Sequence, residues 1–359
     1  MLGKMDCCGR TDVGRVRDTN EDQFLIADLN KSMRVFQTSL GLDHQTRLFG
    51  GSQAKLLLVA DGMGGQAAGE RASTIAIDTI TRYVLNTMDW FFRLDGQHEN
   101  EFVEELKSSL VAVQREILIE TEKIPRRHGM GTTLTMAYLV WPQLYVVHAG
   151  DSRCYVQRGT DLRRLTRDHT VAQQFVDGGA MSSAAAENSK WSHMLWNVLG
   201  GDSDKLHVEL HHAELQMGDM LLLCTDGLSS QVPHDAIARM LSEARSAHAA
   251  VERLIDAANK AGGKDNITAV VARFLDSRSS LDAMEAEADL EDTAVYEFSA
   301  EERDRMREPA PAEEGSAVRQ RFETLPESRF LPFRADLGSQ AANPSELRSW
   351  PPVPAARWS

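Results

Sequence analysis

The feature that most constrains this chain is an apolar run that ends on a carboxylate. The segment LLLVADGMGG, residues 56–65, places four apolar residues shortly before Asp61, and three glycines then fall within four positions. Such a run predicts a strand buried on both faces. An Asp-Gly pair alone predicts a hairpin turn, but the residues that follow have helical spacing rather than the alternation of a partner strand. The chain is therefore expected to keep a charge beside its core.

The same arrangement recurs later in the chain, where LLLCTDGL again ends an apolar run with Asp-Gly, at Asp226. Asp265 directly precedes the apolar segment NITAVV, and Asn20-Glu21-Asp22 opens DQFLIADL. The ends of neighbouring strands converge in space, and two like charges 4 Å apart repel by about 4 kcal/mol at an effective dielectric near 20. Net stabilities are only about 5–15 kcal/mol. These carboxylates therefore either stay apart or are held together by cations.

A site that offers only oxygen ligands selects hard cations such as Mg²⁺, Mn²⁺ or Ca²⁺. Gly62 has no side chain, so its carbonyl could also face a metal. Two ions about 3.5–4 Å apart would activate a bridging water and neutralise a phosphoryl group. Arg17, four residues before Glu21, is the candidate for bidentate phosphate binding. The alternative for Arg17 is an exposed, solvated side chain.

The overall composition argues against several classes of function. A formal net charge of −14 without a basic stripe argues against nucleic-acid binding. No apolar run approaches the roughly 20 residues of a membrane span, and the start MLGKMDCCGR lacks the apolar stretch of a secretory signal. Four cysteines, of which Cys7-Cys8 could form a metal or redox pair, are too few for a disulfide framework. We therefore expect a cytoplasmic protein that is not associated with a membrane.

The composition changes near Asp276. Eight of the eleven prolines lie beyond that point, in a segment that is first acidic and then rich in proline. Such a segment cannot bury enough apolar surface to offset its ordering entropy. We expect one globular domain at residues 1–275 and a mostly disordered tail at 276–359. The tail has a possible partner, because its Trp350-Pro351-Pro352 segment could dock on another protein.

Within the domain, the pattern predicts helices in pairs with antiparallel strands between them. Two long amphipathic patterns follow the first Asp-Gly, a meander of three apolar runs comes next, and two more helical patterns precede the last strand. This order favours an α+β fold in which sheets pack together with helices outside. Residues 178–201 are rich in glycine and small side chains and predict a long irregular flap. With its approach, this flap spans about residues 170–201.

Seven motifs together resemble one known family. RDTNEDQF, LLLVADGMGG, GMGTTLT, VVHAGDSRCY, LTRDHT, LLLCTDGLS and KDNITAVV occur in the order found in the PPM (type 2C) metal-dependent serine/threonine protein phosphatases. The resemblance covers about residues 10–274, and the form of the first two motifs is similar to that of the bacterial branch. It implies a central antiparallel β-sandwich flanked by pairs of antiparallel helices, in four layers. It also implies hydrolysis of phosphoserine and phosphothreonine on phosphorylated proteins, the targets of a serine/threonine kinase, by water that two Mn²⁺ or Mg²⁺ ions activate.

The resemblance also implies roles for individual residues. Asp61 would bridge the two ions, and Gly62 would offer its carbonyl to one of them. Asp226 and Asp265 would complete the shell of the other ion. The full implied ligand set is Glu21, Asp22, Asp61, Gly62, Asp151, Asp226 and Asp265.

Further residues of the motifs have more specialised implied roles. Glu21 and Asp22 would serve the remaining ion directly or through waters, and Asp151 would join Asp226 at a third, weaker metal site. Arg17 would bind the substrate phosphate, and Asp61 and Arg17 are thus the implied catalytic residues.

One position departs from the family pattern. Many eukaryotic members have a histidine directly after the first Asp-Gly, whereas this chain has Met63, which cannot transfer a proton. His128 and His169 lie near motifs but are expected to be structural or solvated. Two alternative functions stay open at this point. One is a non-catalytic phosphoprotein-binding module, although no metal carboxylate or phosphate arginine is lost, and the other is a phosphatase of small phosphoesters.

Overall fold

A computed structural model describes residues 4–30, 32–34, 47–49, 54–64, 68–88, 96–187, 189–201 and 205–275. The strands are β1 (Lys4–Asp12), β2 (Asp22–Leu29), β3 (Ser32–Arg34), β4 (Arg47–Phe49), β5 (Ala54–Met63), β6 (Gly131–Thr132), β7 (Leu134–Val140), β8 (Gln143–Ala149), β9 (Arg153–Arg158), β10 (Asp161–Arg164), β11 (Leu199–Gly200), β12 (Glu209–Glu214), β13 (Met220–Cys224) and β14 (Ile267–Leu275). The helices are α1 (Ala68–Asn86), α2 (Gly96–Lys123), α3 (Val171–Asp177), α4 (Ser183–Glu187), α5 (Asp226–Ser229), α6 (His234–Glu243) and α7 (Ala247–Lys260). The predicted tail, residues 276–359, lies outside the described residues.

The strands form two large antiparallel sheets. The first has the order β1-β14-β13-β9-β10, and the second has the order β11-β6-β5-β7-β8-β12, with β2 also paired to β5. Along β5, Leu57 and Val59 face the first sheet, whereas Leu56 and Leu58 pack under α1 and α2. All four side chains are at most 1% exposed. The prediction of a strand buried on both faces is therefore confirmed.

Strand β13 repeats this alternation in the first sheet. Leu221 and Leu223 point into the layer between the sheets, whereas Leu222 and Cys224 pack against α6 and α7. The layers therefore run helices, sheet, sheet, helices. This confirms the expected α+β fold, a central antiparallel β-sandwich with paired helices outside.

The two long helices lie antiparallel to each other over the second sheet. Near the end of α1, the Tyr83 hydroxyl donates to Glu105 at 2.8 Å, and at the start of α1 Arg71 Nε donates to Glu120 at 3.0 Å. Burying a large aliphatic side chain such as Ile80 contributes about 1.5–3 kcal/mol. Contacts of this kind offset the cost of holding charged groups at the end of β5.

Strands β1, β10 and β12 are not evident from the sequence. Strand β1 pairs with β14 over nine positions, but KMDCCGRTD has no continuous apolar run. The flap is also more regular than predicted, since Thr170 caps α3 by accepting from Gln173 N at 3.2 Å and β11 pairs with β6. Among the described helices, none combines the length and apolarity that a bilayer crossing requires.

Candidate metal centre

The pairing of β2 with β5 places two carboxylates directly opposite each other. Asp22, the first residue of β2, is the register partner of Asp61 in β5, and like charges at such positions destabilise a sheet. The main chain at Asp61 is fixed from the next strand, because its N–H donates to Thr133 Oγ1 at 3.1 Å and its carbonyl accepts from Thr132 Oγ1 at 2.9 Å. The unfavourable pair is thus held in place by the sheet itself.

The first sheet brings further carboxylates to the same place. Strand β13 ends at Cys224 and α5 begins at Asp226, while Asp265 comes just before β14. Because β13 and β14 are antiparallel neighbours, these two aspartates lie at the same end of the sheet. Asp151 follows β8 after Gly150, whose φ of +116° favours glycine.

Burial and neighbouring negative charges raise the pKa of two of these carboxyl groups, Asp61 and Asp151. Burial raises the pKa of Asp61 well above its usual range, and the nearby charges of Asp22, Asp226, Asp151 and Asp265 raise it further. Burial and then Asp226 raise the pKa of Asp151, against the opposing charge of Arg153. The structure therefore brings together five of the aspartates that the sequence singled out, Asp22, Asp61, Asp151, Asp226 and Asp265.

Asp22 is the most deeply held member of this carboxylate cluster, and it is 2% exposed. Its Oδ2 accepts hydrogen bonds from Thr268 Oγ1 at 2.7 Å and Thr225 Oγ1 at 2.8 Å. Its Oδ1 is buried and has no hydrogen-bond partner among the described residues. Burial raises the pKa of Asp22 to about 7 despite the two threonine hydroxyls. A buried oxygen without a partner calls for an explanation, and a bound cation would supply one.

Close packing explains why position 62 is occupied by glycine. A Cβ at this position would lie 2.1 Å from the carbonyl oxygen of Gly69, at the start of α1. The Gly62 N–H donates to Glu21 O at 3.2 Å, which ties β5 to the residue before β2. The absence of a side chain therefore lets the first turn of α1 press against the strand, and a metal contact of the Gly62 carbonyl stays a prediction.

Arg17 and Glu21 stand at the edge of the carboxylate cluster. Arg17 Nη2 lies 2.8 Å from Asp265 Oδ2, with side chains 53% and 37% exposed. This hydrogen bond raises the pKa of Arg17. Burial raises the pKa of Glu21, while the charge of Arg17 lowers it, and the Glu21 carboxylate lies beside Gly69. The guanidinium is thus next to the carboxylates and open to solvent.

Three supporting residues were missed by sequence reasoning, although two of them, Thr225 and Asn266, are adjacent to a motif aspartate. Thr225 and Thr268 hold Asp22, as described above. Asn266 Oδ1 accepts from Glu21 N at 2.8 Å, and its Nδ2 donates to the carbonyls of Thr19 at 2.8 Å and Val13 at 3.0 Å. The side chain of Asn266 thereby fixes the loop that carries Arg17. The position of Asn266 directly after Asp265 was the sequence signal that could have identified it.

The flap supplies a further group that the sequence did not indicate. His193 Nδ1 lies 3.4 Å from Asp226 Oδ2, and the His193 side chain is 68% exposed. The hydrogen bond to Asp226 raises the pKa of His193. By contrast, His169 is 4% exposed and its Nδ1 accepts from Gly150 N–H at 3.0 Å. This buried position agrees with the structural role expected of His169.

The donor set fits divalent cations. The converging side chains offer only carboxylate oxygens, one of which is an orphaned buried atom of Asp22, and hard cations prefer such ligands. Without counter-charge, the aspartates would have to take up protons, as the raised pKa values of Asp22, Asp61 and Asp151 indicate.

Comparison with known proteins gives a consistent result. The chain is 32% identical over 263 residues to the serine/threonine phosphatase stp of Listeria monocytogenes, covering 73% of this chain and 93% of that protein. It is 36% identical over 226 residues to the serine/threonine protein phosphatase PstP of Mycobacterium tuberculosis, covering 62% of this chain and 41% of that one. The solved catalytic domain of PstP in complex with two manganese ions matches with a TM-score of 0.59 at 31% identity, covering 76% of this chain and 99% of that one. The sequence profile described as Protein phosphatase 2C matches residues 42–276. The chain therefore belongs to the protein phosphatase 2C family, as its motifs indicated.

Proposed function

We propose that this chain is a bacterial protein phosphatase that hydrolyses phosphoserine and phosphothreonine in proteins with Mn²⁺ or Mg²⁺ as cofactor. The observation that carries the proposal is the convergence of five aspartates beside an exposed arginine. The named activity of the relatives supports it, as do the two manganese ions of the PstP catalytic domain.

In this proposal, the ions are held by the residues that surround Asp61. Asp61 would contribute to holding both ions, Asp226 and Asp265 would hold one, and Asp22 with Glu21 would hold the other. Asp151 would join Asp226 at a third, weaker site. Bound divalent ions would supply a Lewis acid that lowers the pKa of a water molecule and offsets phosphoryl charge.

The protein's own contribution to catalysis centres on Arg17. Its planar guanidinium presents N–H groups that match two phosphate oxygens, and its link to Asp265 orients it toward the cluster. Because Asn266 fixes the main chain of the loop, little backbone entropy remains to be lost when phosphate binds. Arg17 thus orients the phosphate and balances its charge.

A protein substrate is favoured by the exposure of the rim. The side chains of Arg17 and Asp265 are 53% and 37% exposed, so a phosphorylated segment of another protein can reach them without entering a deep cavity. We further infer that residues 1–275 are the phosphatase domain and that the flap, residues 170–201, borders the substrate site through His193.

The test is phosphate release by the full chain after removal of metal with a chelator. We expect turnover of a phosphothreonine peptide only when Mn²⁺ or Mg²⁺ is restored, with a kcat/KM above that for p-nitrophenyl phosphate. Asp235→Asn, in an exposed position on α6, is the matched control and should retain full activity.

Two outcomes would contradict the proposal. Metal binding measured by calorimetry without turnover of either substrate would indicate a phosphoprotein-binding module. Turnover of the chromogenic ester but not of phosphoserine or phosphothreonine peptides would indicate an enzyme for small phosphoesters.

A further inference from the structure

The motif LTRDHT, residues 165–170, has no role in the proposed function, although it lies beside one of the proposed metal ligands. It belongs to the segment between β10 and α3 and follows the turn at which β8 passes into β9. We call residues 150–153 the β8–β9 turn, and Asp151 is its second residue. The contacts that hold this turn therefore determine where the Asp151 carboxylate lies.

His169 binds the first residue of the β8–β9 turn through two groups. The Gly150 main-chain N–H donates to His169 Nδ1 at 3.0 Å. The His169 main-chain N–H in turn donates to Gly150 O at 2.7 Å. Both main-chain polar groups of Gly150 are thus bound by one residue.

Asp168 holds the other end of the turn. Its two carboxylate oxygens accept from Arg153 Nε at 3.0 Å and from Arg153 Nη2 at 2.6 Å. The Asp168 side chain is 11% exposed, and a bidentate pair of this kind fixes orientation as well as charge. Burial alone would raise the pKa of Asp168, but the charges of Arg153 and Arg164 bring it below the usual value. Asp168 therefore stays ionised and keeps both hydrogen bonds.

The third residue of the turn is bound from β7 and the residue before it. Thr133 Oγ1 and Ser152 Oγ share a hydrogen bond of 2.6 Å, and Thr135 Oγ1 donates to Ser152 O at 3.0 Å. The turn is thus anchored at residues 150, 152 and 153. Asp151 is left between these anchors, with its carboxylate near that of Asp226.

The ring of His169 is itself held in one orientation. Because Nδ1 accepts from Gly150, the proton of the neutral ring lies on Nε2, which faces Glu209 Oε2 at 3.4 Å. A carboxylate beside the protonated nitrogen favours this tautomer. The side chain is 4% exposed, so His169 is positioned to accept from Gly150.

His169 also connects the turn to the flap. Its carbonyl accepts from the Trp196 N–H at 3.0 Å, and Asn197 Nδ2 lies 2.8 Å from His169 Nδ1. Trp196 is three residues after His193, whose Nδ1 lies 3.4 Å from Asp226 Oδ2. A shift of His169 should therefore move both the β8–β9 turn and the flap.

We propose that Asp168 and His169 are positioning residues that hold the β8–β9 turn from its two ends and thereby set the place of Asp151 in the carboxylate cluster. The inference rests on the proposed function, which assigns Asp151 to a third ion with Asp226. Asp168 and His169 act through Arg153 and Gly150 rather than by touching that ion. Replacing a residue that orients a metal ligand typically changes metal affinity by about 10–100-fold.

The first measurement needs no metal. In the chelator-treated full chain, hydrogen–deuterium exchange of peptides that span residues 150–153 should be faster in His169→Ala, because the Gly150 N–H loses its acceptor. His169→Asn should restore slow exchange, since an amide oxygen can replace Nδ1 as acceptor. His212→Ala is the matched control and should exchange like the unmodified chain. His212 is 40% exposed and pairs with Tyr145 in β8, away from the turn.

The second measurement counts bound Mn²⁺ by electron paramagnetic resonance. His169→Ala should weaken the binding of the weakest ion by about 10-fold or more, as Asp151→Asn should, and leave the tighter ions unchanged. Asp168→Asn should act in the same direction. It covers the case in which His169→Ala folds poorly, with folding checked by circular dichroism.

Two outcomes would overturn the proposal. One is equal exchange of residues 150–153 in the unmodified chain and in folded His169→Ala and Asp168→Asn. The other is an equal loss of affinity for every ion, which a general loss of structure would give. If the unmodified chain bound no Mn²⁺, the proposed function would be refuted instead, and the metal-free exchange would still decide whether Asp168 and His169 hold the turn.

Discussion

The dipeptide Asp-Gly follows a buried apolar run at two places, Asp61-Gly62 and Asp226-Gly227, but the local structures differ. Strand β5 continues through Asp61 to Met63, whereas Asp226 begins α5. Neither glycine has a positive φ, so neither is required by a left-handed turn. A Cβ on Gly62 would lie 2.1 Å from Gly69 O, and one on Gly227 would lie 1.9 Å from Asn266 O. Both glycines allow a second backbone to press against the aspartate.

The cations near the two aspartates differ as well. Arg17, which is always charged, acts on the side of Asp61, Glu21 and Asp265. His193, a titratable flap residue, acts on the side of Asp226 and Asp151. The part of the carboxylate cluster near Arg17 thus has a permanent positive charge beside it. The part near His193 has a positive charge beside it only when that histidine is protonated.

The largest expected effect is the loss of activity when either of the two aspartates is replaced. Asp61→Asn and Asp226→Asn should each lower kcat on a phosphothreonine peptide by about 10²–10³-fold or more, because each removes a charge from the proposed ion shell. Asp61→Asn should be the more severe, since Asp61 lies among four other aspartates. Steady-state assays in Mn²⁺ measure this, with Asp235→Asn as control. Equal activity of either variant and the unmodified chain would refute its place in the site.

The variant Arg17→Ala tests the role of the permanent positive charge beside the carboxylate cluster. A charge-assisted hydrogen bond contributes about 1.5–3 kcal/mol, so kcat/KM should fall about 10–100-fold while the Mn²⁺ concentration for half-maximal activity does not rise. Arg17→Lys should recover only part of the loss, because an ammonium cannot pair with two oxygens at once. If saturating Mn²⁺ fully restored the activity of Arg17→Ala, the role of Arg17 would be in metal binding instead.

The close-packing explanation of the two glycines predicts a loss of stability. Gly62→Ala and Gly227→Ala should each lower the free energy of unfolding by about 1–3 kcal/mol through overpacking against a carbonyl. Gly178→Ala is the control, because φ there is −77° and an added Cβ would come no nearer than 3.4 Å to its closest neighbour. Urea unfolding compares the three, and an unchanged midpoint in Gly227→Ala would contradict the explanation.

The last prediction concerns how protonation of the neighbouring residues Asp22 and Asp61 changes the stability of the fold. The pKa of Asp22 rises from 3.8 to about 7 in the folded state, so between these values the folded chain binds a proton that the unfolded chain releases. The free energy of unfolding of the metal-free protein should therefore fall as pH rises through this interval.

Asp22→Asn isolates this contribution. Its amide oxygen can still accept from Thr225 and Thr268, yet it does not titrate, so its stability should depend less on pH than that of the unmodified chain. Saturating Mn²⁺ should remove the difference in slope, because ions would replace the protons. If the free energy of unfolding had the same pH dependence in both metal-free proteins, the protonation of Asp22 would not contribute to stability.

Much of the fold was predictable because the central strands are apolar on both faces. The run Leu56–Val59 and the helical spacing of α1 and α2 are strong local signals. Strand β1 was not predictable, since its pairing with β14 depends on residues more than 250 positions away. Asp61, Asp226, Asp265 and Asp22 were indicated by their positions at the ends or starts of strands, whereas Asp151 was implied only by the family resemblance.

The supporting contacts were less predictable. Asn266 and Thr225 stand next to motif aspartates, so their importance could have been inferred, but their partners could not. His193, which contacts Asp226, belongs to the flap, and His169 and His211, which contact Glu209, lie at the base of the flap and in β12, where the sequence has no strong periodicity. Their proximity follows from the packed fold rather than from any local pattern.

The side chain of Asn266 joins the loop of Arg17 to the first residues of β14. Three hydrogen bonds from one amide group link a segment near the start of the chain to one near the end of the domain. The loop of the proposed phosphate-binding residue Arg17 and the segment of the proposed metal ligand Asp265 therefore share one anchor, so a substitution of Asn266 should displace both.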